Sequence, residues 1–370
     1  MIPVHEPVIS SREIELATEA IRAGEISGSF GKFIAPFEEK FAAYCSCKYG
    51  IATSSGTTAL HLAMAVIGIQ PGDEVLVSAC TNIASGNCVV LQRGIVVPID
   101  SEPDTWNMNP RLLEQAITPC TKAILPVHIY GHPVDMDEVN KIAEKYNLWV
   151  VEDAAEAHGA LYKSRKAGSL GDLACFSFYA NKVITTGEGG MITTNNAELA
   201  EKSRLLRNLA FTKPRFRHEE LGFNYRMTNV QAALGLAQLE RIEEIIETKR
   251  TIAHKYTNGL QGIRGLRLPI EKAYARNVYW MYGIVVEPEF GMTRDNLSVV
   301  LRQRGIDTRT FFCPLNIQPV YQKLNAVRVM PCPEAEKLWE NGLYLPSGCA
   351  LTDEQIGTVC QAIRELGGNP

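Results

Sequence analysis

The chain has 370 residues, enough for one large domain and one smaller one, each with its own core. A formal net charge of −4, with basic residues scattered and not striped, gives no electrostatic reason to expect nucleic acid as a partner. No apolar run approaches the roughly 20 residues that cross a bilayer, so no membrane partner is expected. Met1 to Ser11 lacks the basic stretch and apolar core of a secretory leader. The ten cysteines read as small buried hydrophobes: Cys45 and Cys47 are too close for a zinc knuckle, and no second pair answers them. The expectation is a reduced, cytoplasmic setting with no metal.

From about residue 12 to 245, short β-rich runs alternate with amphipathic stretches, which marks an α/β domain around a mostly parallel sheet. Strands are expected over 49–53, 74–78, 95–99, 123–127, 148–152, 174–178 and 190–193. Several are apolar along their length, as when helices cover both faces of a sheet. Helices fit 36–44, with Pro36 at the first helical position, then 57–66, 111–116, 136–145 and 199–209. One long helix over about 228–255 then bridges to a second domain, its apolar residues recurring through Leu234, Leu239, Ile242 and Ile245. Residues 246–370 read as a smaller α+β domain, with a strand over 279–286 and helices over 294–304 and 353–365. The segment 1–11 is assigned to pack on it.

Four segments carry chemistry. In Ser54-Ser55-Gly56-Thr57-Thr58, a strand ends and a helix begins. The N–H groups and dipole of a helix N-terminus suit a phosphate, Gly56 lets backbone approach closely, and the Thr hydroxyls add donors. Such a turn is equally an ordinary N-cap. In Val151-Glu152-Asp153-Ala154-Ala155-Glu156-Ala157-His158, Asp153 falls at the C-terminal end of an apolar strand, where open α/β sheets place ligands. A carboxylate there can pair with a protonated ring nitrogen, or it can cap a helix. His158 reads as a structural histidine with its hydrogen bonds met locally.

The third segment is Phe176-Ser177-Phe178-Tyr179-Ala180-Asn181-Lys182, followed by Thr185-Thr186-Gly187-Glu188-Gly189-Gly190. A strand delivers Ser177 toward a phosphate, and the chain turns to present Lys182 beside a Gly-rich return. A partly desolvated lysine has its pKa lowered and becomes able to form a Schiff base. The fourth, Gly222-Phe223-Asn224-Tyr225-Arg226, offers an amide and an arginine on a rigid turn, which can contact phosphate or simply cap the next helix.

In this order the segments resemble the DegT/StrS-type family of sugar-nucleotide aminotransferases, along nearly the whole chain. Within that family, 176–190, 124–132, 226–229 and Trp280-Met281-Tyr282 look most like the GDP-perosamine synthase group. The resemblance implies the aspartate-aminotransferase fold (fold type I), pyridoxal 5′-phosphate as cofactor, and a homodimer with active sites at the subunit interface. It implies Lys182 as the Schiff-base lysine and proton-transfer base, Asp153 at the pyridine nitrogen and Glu156 near the cofactor ring. Gly56, Thr57 and Ser177 would hold the phosphate, with Asn224 reaching in from the partner subunit. Glutamate is implied as amino donor and a nucleotide-linked 4-keto-6-deoxyhexose as acceptor, in a pathway such as lipopolysaccharide O-antigen synthesis.

Two departures stand out. Asn82 occupies the place where relatives carry an aromatic residue against the cofactor ring, and Cys313 and Asn316 stand where histidines near the sugar are frequent. Both put the substrate in question and leave the chemistry intact. Amination of a 3-keto sugar nucleotide and a cofactor-binding regulatory protein without turnover are the competing readings. A dehydratase on the same fold would carry histidine in place of Lys182. A nicotinamide dehydrogenase would show Gly-x-Gly-x-x-Gly after an early strand, and none is present.

Overall fold

The structure is a computed structural model that describes residues 1–367. Its central sheet has seven strands: β1 (Tyr49–Thr53), β2 (Glu74–Ser78), β3 (Ile95–Ile99), β4 (Thr121–Leu125), β5 (Trp149–Asp153), β6 (Leu173–Ser177) and β7 (Gly190–Thr194). They lie in the order β1-β7-β6-β5-β4-β2-β3. Strand β7 runs antiparallel to both neighbours, and every other pairing is parallel. The all-apolar runs follow from burial of both faces. Alternate residues Val75, Val77, Leu125 and Val151 join one core with Phe37, Phe41, Leu62 and Phe176. Their neighbours Leu76, Val97, Ile124 and Val150 join Val139 and Ile142 on the other side.

The helices named below are α1 (Ser11–Arg22), α2 (Ile34–Tyr44), α3 (Gly56–Ile67), α4 (Ile83–Leu91), α5 (Met136–Tyr146), α6 (Ala197–Arg207), α7 (Asn229–Glu240) and α8 (Ile242–Leu260). Local chemistry sets their ends. Ser55 caps α3 by accepting from the Thr58 N–H while the Thr58 hydroxyl returns the favour, and Gly68 closes it at φ 82°. Helix α2 starts two residues earlier than expected, so Pro36 is third and not first. It still lies in the first turn, where N–H groups have no intrahelical acceptor and nothing is lost. Strand β4 starts and ends two residues before the expected span.

The expected bridging helix is two helices, α7 and α8, broken at Arg241 (φ −117°, ψ 9°). Both halves continue the same three-to-four spacing, so periodicity alone reads them as one. Ala233 and Ala237 of α7 and Ile242 and Ile245 of α8 pack in the large core, and further along α8 Ile252, Tyr256 and Leu260 enter a separate one. That second core lies against an antiparallel sheet of β8 (Leu266–Arg267), β9 (Tyr282–Val286), β10 (Arg309–Thr310) and β11 (Gly342–Leu345), in the order β8-β9-β11-β10. Helices α9 (Arg294–Gln303) and α10 (Asp353–Leu366) complete it through Leu297, Leu301, Val359 and Ile363. The N-terminal segment touches both halves. Ile2 N–H donates to Gly305 O and Ser347 N–H to Val4 O, while Val8 O accepts from Gln238 on α7.

One buried carboxylate ties the loops around the end of β5. Glu152 accepts from the N–H groups of Gly168 (2.9 Å), Leu170 (2.7 Å) and Gly171 (2.9 Å), and from His128 Nε2 at 2.9 Å. The other ring nitrogen, Nδ1, accepts from Val134 N–H, which leaves the proton on Nε2. Removing the carboxylate orphans four buried donors next to Asp153. Glu152→Ala is expected to destabilise the fold by about 3–5 kcal/mol, read as a lowered urea midpoint at unchanged slope.

Candidate active site

Strands β1, β2, β5 and β6 all end on one rim of the sheet, and a cleft of about 290 Å³ opens there. The turns after these strands supply its walls: Ser55 to Thr57 after β1, Thr81 and Asn82 after β2, Asp153 at the end of β5 and Ser177 at the end of β6. Sequence-distant Trp280, Phe312 and Tyr344 close the remaining side.

Lys182 lies on the turn after β6. Its N–H donates to Tyr179 O, and the return is stitched by Thr186 N–H and Thr185 Oγ1, both donating to Phe178 O. Gly187, at φ 79°, takes the left-handed position of this return. The Lys182 Nζ stands 3.7 Å from Glu156 Oε1, with the two side chains 11% and 5% exposed. It also sits 3.7 Å from the centre of the Trp280 ring. Burial lowers the Lys182 pKa, and Glu156 and Asp153 oppose that shift.

Glu156 is pushed up to about 7 by burial, held from rising further by Lys182 and by the Tyr130 N–H, which donates to Oε2 at 2.7 Å. Asp153 is also raised by burial. Ser85 Oγ donates to its Oδ2 at 2.7 Å and the Ala155 N–H to its Oδ1 at 3.1 Å, both of which favour the carboxylate. Since Ser85 gives its proton to Asp153, it accepts from Thr81 Oγ1 at 2.8 Å.

At the opposite end, the 12-residue helix α3 points its N-terminus into the cleft through Gly56 and Thr57. The N–H groups of a first turn have no intrahelical acceptors. Gly56 is required there, because a Cβ would stand 2.6 Å from Ser177 Cβ. This close approach puts the Ser177 hydroxyl beside the helix terminus. Asn82 caps α4, its Oδ1 accepting from Ala84 N–H at 3.0 Å, which holds an amide and not a ring at the cleft wall.

Lys182, Asp153, Glu156, Gly56, Thr57, Ser177 and Asn82 therefore share one cleft. Three other candidates do not. Asn316 is buried away from it, with Nδ2 donating to Glu336 at 2.7 Å, and Cys313 is also outside the lining while its neighbour Phe312 is part of it. Asn224 is exposed, outside the cleft of its own chain. His158 is the structural residue expected, outside the cleft, but it lacks the expected local hydrogen bonds. It is packed among Phe41, Phe176 and Phe178 with neither ring nitrogen in hydrogen-bonding geometry, and burial lowers it to about 3. Aromatic packing, not local hydrogen bonding, holds it. Sequence reasoning gave no role to Ser85, Tyr130, Trp280, Phe312 or Tyr344. Only the resemblance of 124–132 and of Trp280-Met281-Tyr282 pointed to segments that hold two of them, Tyr130 and Trp280. Among the described residues, no cluster of His, Cys, Asp or Glu could hold a metal ion, and no helix is long and apolar enough to cross a membrane.

The pattern of the DegT/DnrJ/EryC1/StrS aminotransferase family matches residues 7–364, and the chain belongs to that family. It is 44% identical to the GDP-perosamine synthase of Caulobacter vibrioides over 368 residues, covering 99% of this chain and 98% of the relative. It is 39% identical to the GDP-perosamine synthase of Escherichia coli O157:H7 over 366 residues, covering 99% and 98%. Among solved structures, S. venezuelae DesV in complex with a ketimine intermediate superposes with a TM-score of 0.91 at 36% identity, covering 97% of this chain and 95% of that one. The chain is thus a pyridoxal-phosphate-dependent aminotransferase with the fold of these structures.

The donor set fits that cofactor. A desolvated amine suits its aldehyde, a buried carboxylate suits a protonated pyridine nitrogen, and a helix N-terminus with a neighbouring hydroxyl suits its phosphate. In the cofactor-free chain, pH-dependent acetylation of Lys182, followed by peptide mass spectrometry, should show a midpoint below the ordinary lysine range. Glu156→Gln should lower it further, because the nearest group favouring the charged amine is gone. A midpoint that stays put or rises in this variant would contradict the pairing.

Proposed function

We propose that the chain transfers an amino group from glutamate to the carbonyl carbon of a nucleotide-linked 4-keto-6-deoxy sugar, with the cofactor carried on Lys182. The observation that carries this reading is the buried Lys182 amine, 3.7 Å from Glu156 and sharing its cleft with Asp153 and the N-terminus of α3. When bound, pyridoxal 5′-phosphate supplies an aldehyde that accepts the amino group and an electron-withdrawing ring that stabilises negative charge at the adjacent carbon.

Burial favours the neutral form of Lys182, so its amine can act as nucleophile and then carry a proton to and from the reacting carbon. Glu156, titrating near neutrality, can hold or release a proton beside that amine. Asp153, supported by Ser85 and the Ala155 N–H, places negative charge where the pyridine nitrogen would lie. Gly56 and Thr57 offer backbone donors and Ser177 a hydroxyl for the phosphate. Asn82, lacking an aromatic face, would support the ring through its amide plane.

Asn224 lies exposed on the segment where Tyr225 O accepts from Ser54 N–H and Arg226 bridges Thr53, beside the phosphate turn. From that place it would serve the cleft of a second copy, which agrees with a homodimer. Exposed Phe216 and Leu221 flank the same segment and suit a covered face. Likeness to two GDP-perosamine synthases along nearly the full chain supports a GDP-linked 4-keto substrate and a cytoplasmic role in making deoxyamino sugars. The 3-keto alternative draws on 37% identity to the dTDP-3-amino-3,4,6-trideoxy-alpha-D-glucose transaminase of Streptomyces venezuelae, over 98% of this chain.

Borohydride treatment of the replete enzyme should leave a pyridoxyl mass on the Lys182 peptide. Lys182→Ala should lose both the visible cofactor absorbance and at least about 10²–10⁴-fold in turnover. A variant that kept colour and rate would refute the assignment. Release of 2-oxoglutarate from glutamate across a panel of GDP-, UDP- and dTDP-linked 3-keto and 4-keto sugars, with product NMR, identifies the acceptor. No release with any of them would favour a regulatory protein.

A further inference from the structure

Lys249 is a second buried lysine, on α8, with 2% of its surface exposed. Among the described residues no carboxylate pairs with it; the titratable groups nearest it are His5 and Cys349. Burial lowers its pKa, and its amine donates instead to two carbonyl oxygens from different turns, Trp280 O at 3.0 Å and Ser347 O at 2.9 Å. Trp280 lies just ahead of β9 and Ser347 just after β11. Burying an unpaired charge is unfavourable, and a methionine would fill the same space without that penalty. What no apolar side chain can do is draw two carbonyls together.

The turn so held is strained. Tyr279 has φ 47°, a left-handed conformation that a tyrosine resists, and its N–H is caught by Asn277 Oδ1 at 2.7 Å. Asn277 thus secures the turn from its N–H side and Lys249 from its carbonyl side. The product of the turn is the placement of one ring. The Trp280 indole donates Nε1–H to Asn181 O at 2.7 Å, stacks on Tyr130 at 6.2 Å and 18°, and covers the Lys182 amine.

We propose that Lys249 is a positioning residue for the transfer reaction: by clamping the Trp280 and Ser347 carbonyls it sets the indole against Lys182 and fixes where the reacting amine points. This rests on the reading of Lys182 as the cofactor-bearing lysine. An aromatic face on a desolvated ammonium favours its charged form. The other groups facing that amine are Glu156, Asp153 and the uncharged His158. The two roles open to Lys249 have opposite signs. As a mere positive charge it would make Lys182 harder to protonate, so its loss would raise the Lys182 midpoint. As the clamp on Trp280, its loss withdraws the ring and lowers that midpoint.

The test compares the unaltered full chain with Lys249→Met, Lys249→Gln, Trp280→Phe and the Lys249→Met/Trp280→Phe double variant. Acetylation of Lys182 against pH is read in the cofactor-free chain, and kcat and KM in the holoenzyme. Lys249→Met should lower the midpoint by about one pH unit, as expected for loss of a desolvated cation–π contact, and Trp280→Phe, which keeps a weaker aromatic face, by less. The double variant should go no lower than the singles. Kcat should fall by about 10–100-fold with little change in KM, as for a misdirected reacting group. Lys249→Gln, which keeps one donor, should shift less. An unmoved or raised midpoint in Lys249→Met, beside a lowered one in Trp280→Phe, overturns the proposal. If Lys249→Met does not fold, Lys249→Gln decides the same comparison. Failure of the underlying reading shows separately, as a missing borohydride-fixed pyridoxyl mark on Lys182 in the unaltered protein.

Discussion

An amine kept out of water between carboxylates and an aromatic face is the constraint around which the cleft is organised. Burial favours the neutral amine at Lys182 and outweighs Glu156 and Asp153, which pull the other way. Glu156 is displaced toward neutrality by the same burial. Both shifts narrow the ordinary gap in proton affinity between an amine and a carboxyl, the direction that acid–base chemistry near neutral pH favours. Glu156, Asp153 and Trp280 act on that amine from separate segments of the chain, so shifting any one of them alters its reactivity.

The parallel sheet is what brings the parts together. Parallel strands end on one rim, so turns separated by more than a hundred residues face a single opening. The antiparallel β7 fits this scheme: it returns the chain beneath the Lys182 turn and pairs with both β1 and β6. The phosphate-side turn and the lysine-bearing strand are thereby held close enough that Gly56 has no room for a side chain against Ser177. Buried Glu152, on the opposite face of β5 from Asp153, gathers the surrounding loops through backbone N–H groups. One strand end thus anchors both a scaffold and a reactive carboxylate.

The C-terminal half supplies what the sheet lacks. No strand of the large sheet offers an aromatic residue at the Asn82 wall, and the aromatic surface comes from Trp280, Phe312 and Tyr344 on the other side. These three stand around Tyr130, whose left-handed backbone (φ 52°) aims its N–H at Glu156. A movement of the C-terminal half would therefore reach the amine through aromatic contacts and one backbone donor.

Much of this was legible in the residues themselves. Apolar runs bounded by small polar turns gave the strands of the large sheet to within about two residues, because full burial leaves no other composition for a central parallel strand, whereas the strand expected over 279–286 begins only at Tyr282 and its short partners were not expected. Lys182, Asp153, Gly56 and Ser177 could be singled out because each sits at a strand end or turn that local sequence defines, whereas Glu156 came only from the family resemblance. The split at Arg241 could not, since both helices share one periodicity, and α8 begins in the large core at Ile242 and Ile245 before it passes into the second at Ile252. The isolation of His158, the withdrawal of Asn316 toward Glu336 and the aromatic wall were equally hidden. Periodicity and capping act over a few residues and are written in sequence; which side chains meet across a cleft depends on contacts a hundred residues apart, and those exist only once the chain has packed.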